Sequence, residues 1–272
     1  MRPLLIVLLS ASVAWSAAPP ERISPERQRA IEEARQTYAR AREAWQANKP
    51  QEAVKLHLAT LKAREKLYPA MWYPDGHVEL AESLNWIGFI AYQVQQLPVA
   101  EPLYRRALEM REKLYPAPQY PTGHPDLAIS LNNLAALYWA QAEYGKAEPL
   151  YRRALEMTEK QYPASRLSDG ASNLAISLNN LAGLYESQAE YGKAEPLYRR
   201  ALEMYEKQYP ASRYPTGHPN LAISLNNLAG LYKDQAEYGK AEPLYRRAAR
   251  RCTRSSTPPR AIRRGIRTWP SA

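Results

Sequence analysis

Apolar residues recur along most of this chain at the spacing of one face of an α-helix. In the unit that spans residues 124–162, two such stripes follow one another. The first stripe contains Leu127, Leu131, Leu134, Ala135 and Tyr138, and the second contains Ala147, Leu150, Tyr151, Ala154 and Leu155. The pattern predicts two amphipathic helices in each unit, which we call helix A and helix B.

This pair of helices is repeated every 47 residues. Copies of AEPLYRRALEM begin at Ala100, Ala147 and Ala194, and a shortened copy begins at Ala241. Copies of LAISLNNLA begin at Leu127, Leu174 and Leu221, and the related LAESLNWIG begins at Leu80. A fixed period of this length is typical of a solenoid in which each unit packs on its neighbours. We therefore expect a degenerate first unit at residues 27–76 and about three and a half clear units at residues 77–248.

Proline and glycine residues indicate where the two helices begin and end. Helix A is expected to begin after His124-Pro125-Asp126, because proline suits the first turn of a helix. A turn at residues 143–145 is predicted to separate the helices, and Pro149 is expected in the first turn of helix B, where proline is tolerated. Pro163 is expected to stop helix B after about Tyr162.

The repeated motif resembles the tetratricopeptide repeat. The residues that carry the resemblance are Leu131, Leu134, Ala135 and Tyr138 of helix A and Ala147, Tyr151 and Ala154 of helix B. More narrowly, HPDLAISLNNLAALY followed by AEPLYRRALEM is similar to the kinesin-light-chain type of repeat. The resemblance implies an all-α, right-handed superhelical solenoid of antiparallel helix pairs. It also implies that a concave groove of A helices binds a peptide or a partner protein.

Asparagines stand in the middle of helix A in every clear unit, although asparagine is a poor helix former. They are the single Asn85 and the pairs Asn132 and Asn133, Asn179 and Asn180, and Asn226 and Asn227. One interpretation is hydrogen bonding between units, or simple copying of one ancestral unit. The other is a ladder of amides along the groove, which would donate to and accept from the backbone of an extended peptide.

One register near the end of helix A differs in chemistry between units that are otherwise nearly identical. Its members are Tyr92-Gln93, Trp139-Ala140, Glu186-Ser187 and Lys233-Asp234. A pair that varies so freely is expected to lie outside the shared packing layer. It is either neutral surface or the part of the groove that is adapted to a ligand, and in the second case Tyr92, Trp139, Glu186 and Lys233 would contact that ligand.

The chain offers little for catalysis or metal binding. It has four His and one Cys, and it contains no Gly-rich phosphate loop and no HExxH motif. His77, His124 and His218 share one register, but successive copies are separated by two helices of about 10 Å diameter. That distance is too long for one ion held at about 2.1 Å. We expect no metal, no cofactor and no enzymatic activity.

The amino terminus has the pattern of a secretory signal peptide. Within residues 1–18, Arg2 precedes an apolar run at residues 4–13 and a small-residue stretch at residues 14–18. The pattern predicts a bacterial protein exported to the periplasm or the medium, with a linker at residues 19–26. The apolar run is shorter than the roughly 20 residues that a transmembrane helix needs. An uncleaved membrane anchor that includes Trp15 is the alternative.

Residues 249–272 resemble no other part of the chain. DNA that encodes residues 251–272 can be written with synonymous codons so that a second reading frame, which starts one nucleotide earlier, encodes EMYEKQYPASRYPTGHPNLAISL. That sequence is identical to residues 203–225. We therefore infer a frameshift near codons 249–250, either a sequencing error or a real mutation. If the tail is genuine, the array ends without a polar capping helix, and we expect residues 219–248 to fray.

The net charge of +10 would by itself suggest an anionic partner. Seven of the arginines lie in residues 249–272, however, and Arg2 lies in the predicted signal peptide. Residues 21–248 therefore carry a net charge of only about +2. We expect no nucleic-acid partner.

Together these features predict a non-catalytic scaffold that holds a peptide or a partner protein in the groove of its A helices. The alternative is the truncated sensor half of a longer protein whose catalytic domain was lost through the frameshift. Bacterial repeats of this type often resemble the amino-terminal part of caspase-like CHAT proteases. A Cys/His-bearing domain encoded beyond the stop codon in the restored frame would favour that alternative.

Overall fold

The computed structural model describes residues 23–162, 171–214 and 218–252, and these residues form ten α-helices and no strand. The predicted signal peptide and residues 253–272 of the tail lie outside this range. The helices are α1 (Pro25–Gln46), α2 (Pro50–Leu67), α3 (Val78–Gln93), α4 (Leu97–Leu114), α5 (Pro125–Ala140), α6 (Tyr144–Gln161), α7 (Ala171–Ser187), α8 (Tyr191–Gln208), α9 (Pro219–Asp234) and α10 (Tyr238–Cys252).

The odd-numbered helices are the A helices and the even-numbered helices are the B helices. Each A helix packs against the B helix that follows it, and each B helix packs against the A helix of the next unit. The all-α solenoid predicted from the sequence is therefore confirmed. Helix α1 begins at Pro25, inside the predicted linker, and α10 continues to Cys252, past the last residue of the repeat pattern.

Small residues lie where the paired helices approach each other most closely. Ala135, Ala147 and Ala154 are completely buried, so their methyl groups allow the helix backbones to come together. The larger Leu134 and Tyr138 are also buried and belong to one continuous hydrophobic cluster that runs along the array. The repeated alanines and leucines thus form the core that the helical spacing predicts.

The turn between helices A and B lies earlier than the sequence indicates. Helix α5 ends at Ala140 and α6 begins at Tyr144, so the turn consists of residues 141–143 and Gly145 already belongs to α6. The predicted turn at residues 143–145 is therefore wrong by two residues. The left-handed position is instead Ala142, with φ of 59°, and its equivalents are Asn48, Gln95, Ala189 and Ala236.

Pro149 lies inside α6 and not in its first turn. Because proline has no N–H, it cannot make the backbone hydrogen bond to the carbonyl oxygen of Gly145, four residues earlier. The helix nevertheless continues to Gln161, close to the predicted end. Packing of the buried Ala147, Tyr151 and Ala154 against the neighbouring helices stabilises the segment in spite of the lost hydrogen bond.

The A and B helices line opposite faces of the solenoid. From α3 onward, the backbones of consecutive A helices approach within 8 Å of each other. Consecutive B helices in the described chain are joined instead by ion pairs between long side chains, Arg106 with Glu65, Arg153 with Glu112, Arg200 with Glu159, and Arg247 with Glu206. The A helices are therefore the more closely spaced layer, and we call their shared face the inner face.

None of the ten helices is both long enough and apolar enough to cross a membrane.

Candidate peptide-binding groove

The asparagines of the A helices form hydrogen bonds from one unit to the next. In each case the second asparagine of a unit donates from Nδ2 to Oδ1 of the first asparagine in the preceding unit. The pairs are Asn133 to Asn85 at 3.0 Å, Asn180 to Asn132 at 3.4 Å, and Asn227 to Asn179 at 3.2 Å. The structure thus shows the inter-unit hydrogen bonding that was one of the two interpretations of this motif.

These bonds leave part of each second asparagine available on the inner face. Asn133, Asn180 and Asn227 are half-buried, and their Oδ1 atoms accept no hydrogen bond from the described residues. The first asparagines are more enclosed, since Asn85 and Asn179 are only 3% exposed. Asn132 is half-buried and also donates to Oγ of Ser177 at 3.2 Å. The second asparagines are therefore the better candidates for ligand contact.

Isoleucines accompany the asparagines on the inner face, and they were not among the predicted site residues. Ile129, Ile176 and Ile223 precede the first asparagine of their units by three residues, and each is half-buried. Residues three and four apart lie on one side of a helix, so each isoleucine is adjacent to the asparagine pair. Their position inside LAISLNNLA is the signal that could have identified them.

The variable register lies partly inside the packing layer, contrary to the sequence argument. Tyr92 is only 7% exposed, and burial raises its pKa to about 12. Trp139 is half-buried and its indole Nε1 donates to Oγ of Ser187 in the next A helix at 2.9 Å. Its ring lies so close to Gly183 that a Cβ there would be 2.9 Å from Cη2. Trp139 of this register therefore packs against the next A helix and is not neutral surface.

The last two members of this register are polar. Glu186 is half-buried and accepts a hydrogen bond from the hydroxyl of Tyr198 at 2.7 Å. Burial raises the pKa of Glu186, and the negative charge of Asp234 raises it further. Lys233 is exposed at the end of α9. Of the four predicted residues in this register, Lys233 is the exposed one.

Aromatic residues fill the groove at its amino-terminal end. Trp86 occupies the position of the second asparagine and stacks on His57 with ring centroids 5.5 Å apart. Phe89 is buried between Trp86 and Trp45, and its ring centroid lies 5.5 and 5.7 Å from theirs. The accessible amides are therefore confined to α5, α7 and α9.

The three histidines that share one register cap the A helices. Nδ1 of His77, His124 and His218 accepts the backbone N–H of the residue two positions later, at 3.2 to 3.3 Å. Each ring also stacks on a tyrosine from the preceding B helix end, Tyr68, Tyr115 or Tyr209. Desolvation by this packing lowers the pKa of all three histidines. In the part of the chain that the structure describes, no cluster of His, Cys, Asp and Glu could hold a metal ion.

Comparison with known families agrees with the repeated helix pairs. Family models described as tetratricopeptide repeat match residues 79–160, 174–209 and 221–256, which is more than half of the chain. The chain belongs to the tetratricopeptide repeat family. No curated protein matches it.

Solved structures with similar tetratricopeptide folds include proteins of the kinesin-light-chain type. The TPR-like repeats of a Podosopora anserina kinesin light chain are 19% identical with a TM-score of 0.61, and the match covers 80% of this chain and 93% of that one. BtubC from P. vanneervenii is 20% identical with a TM-score of 0.55, and the match covers 92% of this chain and 100% of BtubC. NprR, solved in complex with its cognate peptide NprX, is 17% identical with a TM-score of 0.55. The match covers 80% of this chain and 55% of NprR. At these identities the likeness shows the fold alone.

Proposed function

We propose that this tetratricopeptide repeat array is a non-catalytic scaffold that binds an extended peptide along the inner face of α5, α7 and α9. The observation that carries the proposal is the row of half-buried asparagines, Asn133, Asn180 and Asn227, whose Oδ1 atoms accept no hydrogen bond from the described residues. Each amide is held in one orientation by the hydrogen bond to the preceding unit. A peptide backbone could therefore pair with them at a low cost in side-chain entropy.

The half-buried isoleucines supply the apolar part of the same surface. A peptide that lies across the A helices would contact Ile129, Ile176 and Ile223 through its side chains and the asparagines through its backbone. Adjacent helix axes are about 8–10 Å apart, and an extended chain advances about 3.3 Å per residue. The spacing of the array thus matches about three peptide residues per unit. Peptide binding by NprR, which has a similar fold, supports this proposal.

The outer face is a less suitable site because its polar groups are already paired. The cleft between α6 and α8, about 500 Å³ in volume, is lined by Leu155, Leu181 and Leu197. Beside it, Arg152 donates to the hydroxyl of Tyr185 at 2.9 Å, and that hydroxyl donates to Glu148 at 3.0 Å. The other charged residues that line the cleft, Glu156, Glu159 and Lys193, are also paired, with Lys160, Arg200 and Glu190.

The proposal is tested by selecting peptides from a random displayed library on the full chain and measuring their affinity by fluorescence anisotropy. Ile176→Gln on the inner face should weaken binding at least tenfold, because it places a polar side chain where the ligand is apolar. Leu197→Gln, a half-buried residue of the outer cleft, is the matched control and should leave affinity within twofold. Equal loss in the two variants, or no selected peptide at all, would overturn the proposal.

A further inference from the structure

A polar network recurs between the later B helices on the outer face. In each case a glutamate of helix B pairs with the arginine one turn later and accepts a hydrogen bond from a tyrosine of the following A helix. A lysine of the next B helix lies over that tyrosine ring, 5.1–5.2 Å from its centroid. The three sets are Glu101, Arg105, Tyr138 and Lys146; Glu148, Arg152, Tyr185 and Lys193; and Glu195, Arg199, Tyr232 and Lys240.

The first unit replaces all four members of this network with apolar residues. One period before the first set, the four registers hold Val54, Leu58, Ala91 and Val99. Ala91 is buried, but Leu58 is 43% exposed and Val99 is 50% exposed. The joint replacement thus turns a hydrogen-bonded surface into an apolar one.

These residues belong to a cleft between α2 and α4, which we call the first outer cleft. It is the counterpart, two periods earlier, of the cleft between α6 and α8. Three lining positions of the later cleft hold the polar side chains of Arg152, Tyr185 and Lys193. In the first outer cleft the equivalents of these three and of the lining leucines are all apolar, namely Leu58, Leu61, Ile87, Ala91, Val99 and Leu103. Exposed apolar patches of this kind mark interaction sites.

Lysines of α2 border the first outer cleft. Lys55, Lys62 and Lys66 are exposed, and they form no ion pair with a described residue. The two glutamates of α2 are already paired, with Lys49 and Arg106. The positive charge is specific to this unit, since the register of Lys62 holds a glutamate in the next three B helices, Glu109, Glu156 and Glu203. The border of the cleft therefore carries uncompensated positive charge.

We propose that the first outer cleft is a docking site for an amphipathic helix of a partner protein, with acidic residues on both sides of its apolar stripe. A groove between two helices accepts apolar side chains at positions i, i+4 and i+7 of a third helix. Those side chains would cover Leu58 and Val99. The flanking carboxylates would pair with Lys55 and Lys62.

The charge of the cleft border argues against the chain's own terminal segments as occupants. Residues 253–272 contain five arginines and no acidic residue, and residues 1–22 contain two arginines and one glutamate. Neither segment supplies the acidic flanks that the lysines would attract. The cleft lies between α2 and α4, which are both described, and its apolar surface results from the four replaced residues.

The test selects ligands on the full chain from a displayed library of helices, with leucines fixed along one stripe and the flanking positions varied. Acidic residues should predominate at those flanking positions. The variant V54E/L58R/A91Y introduces the residues of the later units, which are compatible with the fold there. It should weaken binding of the selected helices about tenfold to a hundredfold, because the leucine stripe loses its apolar partner.

A pair of charge variants tests the same site without changing an apolar residue. Lys62→Glu should weaken binding about threefold to tenfold at low salt, and less at high salt. Lys207→Glu makes the same charge change at an exposed position of α8, and it should leave the affinity within about twofold. These two variants decide the question even if the triple variant does not fold, which circular dichroism shows.

Four results would overturn the proposal. No helix could be enriched on the wild type over the triple variant, or the enriched helices could lack acidic flanks. Lys62→Glu and Lys207→Glu could have equal effects. Ile176→Gln could abolish binding, which would place the helices on the inner face. Finally, sedimentation could show self-association that is lost in Leu58→Arg, which would assign the cleft to a second copy of the chain.

Discussion

Two glycines in one register of consecutive A helices should respond oppositely to the same substitution. Gly183 of α7 and Gly230 of α9 are flanked by identical sequence, and both lie inside a helix, where glycine costs about 1 kcal/mol relative to alanine. Their surroundings differ through the variable register of the preceding unit, which is Trp139 for Gly183 and Glu186 for Gly230.

The available space determines the expected magnitudes. A Cβ on Gly230 would meet Glu186 Oε1 at 3.7 Å and the Tyr245 hydroxyl at 3.9 Å, which are ordinary contacts. We therefore expect Gly230→Ala to stabilise the fold by about 0.5–1 kcal/mol. A Cβ on Gly183 would lie 2.9 Å from Cη2 of Trp139, whose ring is held by the hydrogen bond to Ser187. Overpacking of this kind costs about 1–3 kcal/mol, so Gly183→Ala should be net destabilising.

Urea unfolding followed by circular dichroism measures the two effects, and hydrogen exchange of the α7 and α9 amides locates them. Each kcal/mol should move Tm by about 2–4 °C in a chain of this size. Trp139→Leu removes the obstructing ring. In that background Gly183→Ala should become net stabilising, although less so than Gly230→Ala because the new Cβ would still lie 3.3 Å from the Tyr198 hydroxyl. The change gives a coupling energy for the Trp139–Gly183 contact. The reasoning is refuted if the two alanine substitutions are equally stabilising with Trp139 present, or if their difference is not reduced when Trp139 is removed.

The remaining predictions concern buried ionisable groups and a turn. Burial lowers the pKa of His57 to about 4, with the positive charge of Arg64 as a second cause, so wild-type stability should decline as pH falls from about 6.5 to about 4. That loss in the free energy of unfolding amounts to about 3 kcal/mol. His57→Phe should remove the loss in urea melts measured at several pH values. A variant that loses as much stability in acid as the wild type would contradict the assignment. The raised pKa of Glu186 means that the folded state binds its proton more readily than the unfolded state. Glu186→Gln should therefore stabilise the fold at pH 7 by an amount that shrinks towards acid pH, whereas a constant difference would exclude titration as the cause. Ala189→Gly should stabilise the fold by about 0.5–1 kcal/mol by relieving its φ of 59°, and a lower melting temperature would show that the turn is not strained.

The repeat period and the core were predictable from the sequence because both depend on local spacing. Leucines, alanines and tyrosines at helical intervals identify the buried faces of α5 and α6, and the 47-residue period identifies their neighbours. The position of the A–B turn was misjudged, since Ala142 and not Gly145 takes the left-handed conformation there. Alanine gives no sequence signal for that conformation.

The candidate groove was only partly predictable because its properties arise between units. The sequence placed the asparagines on helix A, but the structure decided that Asn180 donates to Asn132 and that its Oδ1 accepts no hydrogen bond from the described residues. It likewise decided that Trp139 packs over Gly183, although a variable residue is expected at the surface.

The sequence alone thus determined the helices, their period and their buried faces, because hydrophobic burial follows the helical repeat. Only the tertiary structure decided which side chains meet across units and which of them remain exposed. The contacts between successive A helices join residues 44 to 48 positions apart, and they depend on how one helix pair is set against the next. That orientation is a property of packed surfaces, and no spacing within a single helix encodes it.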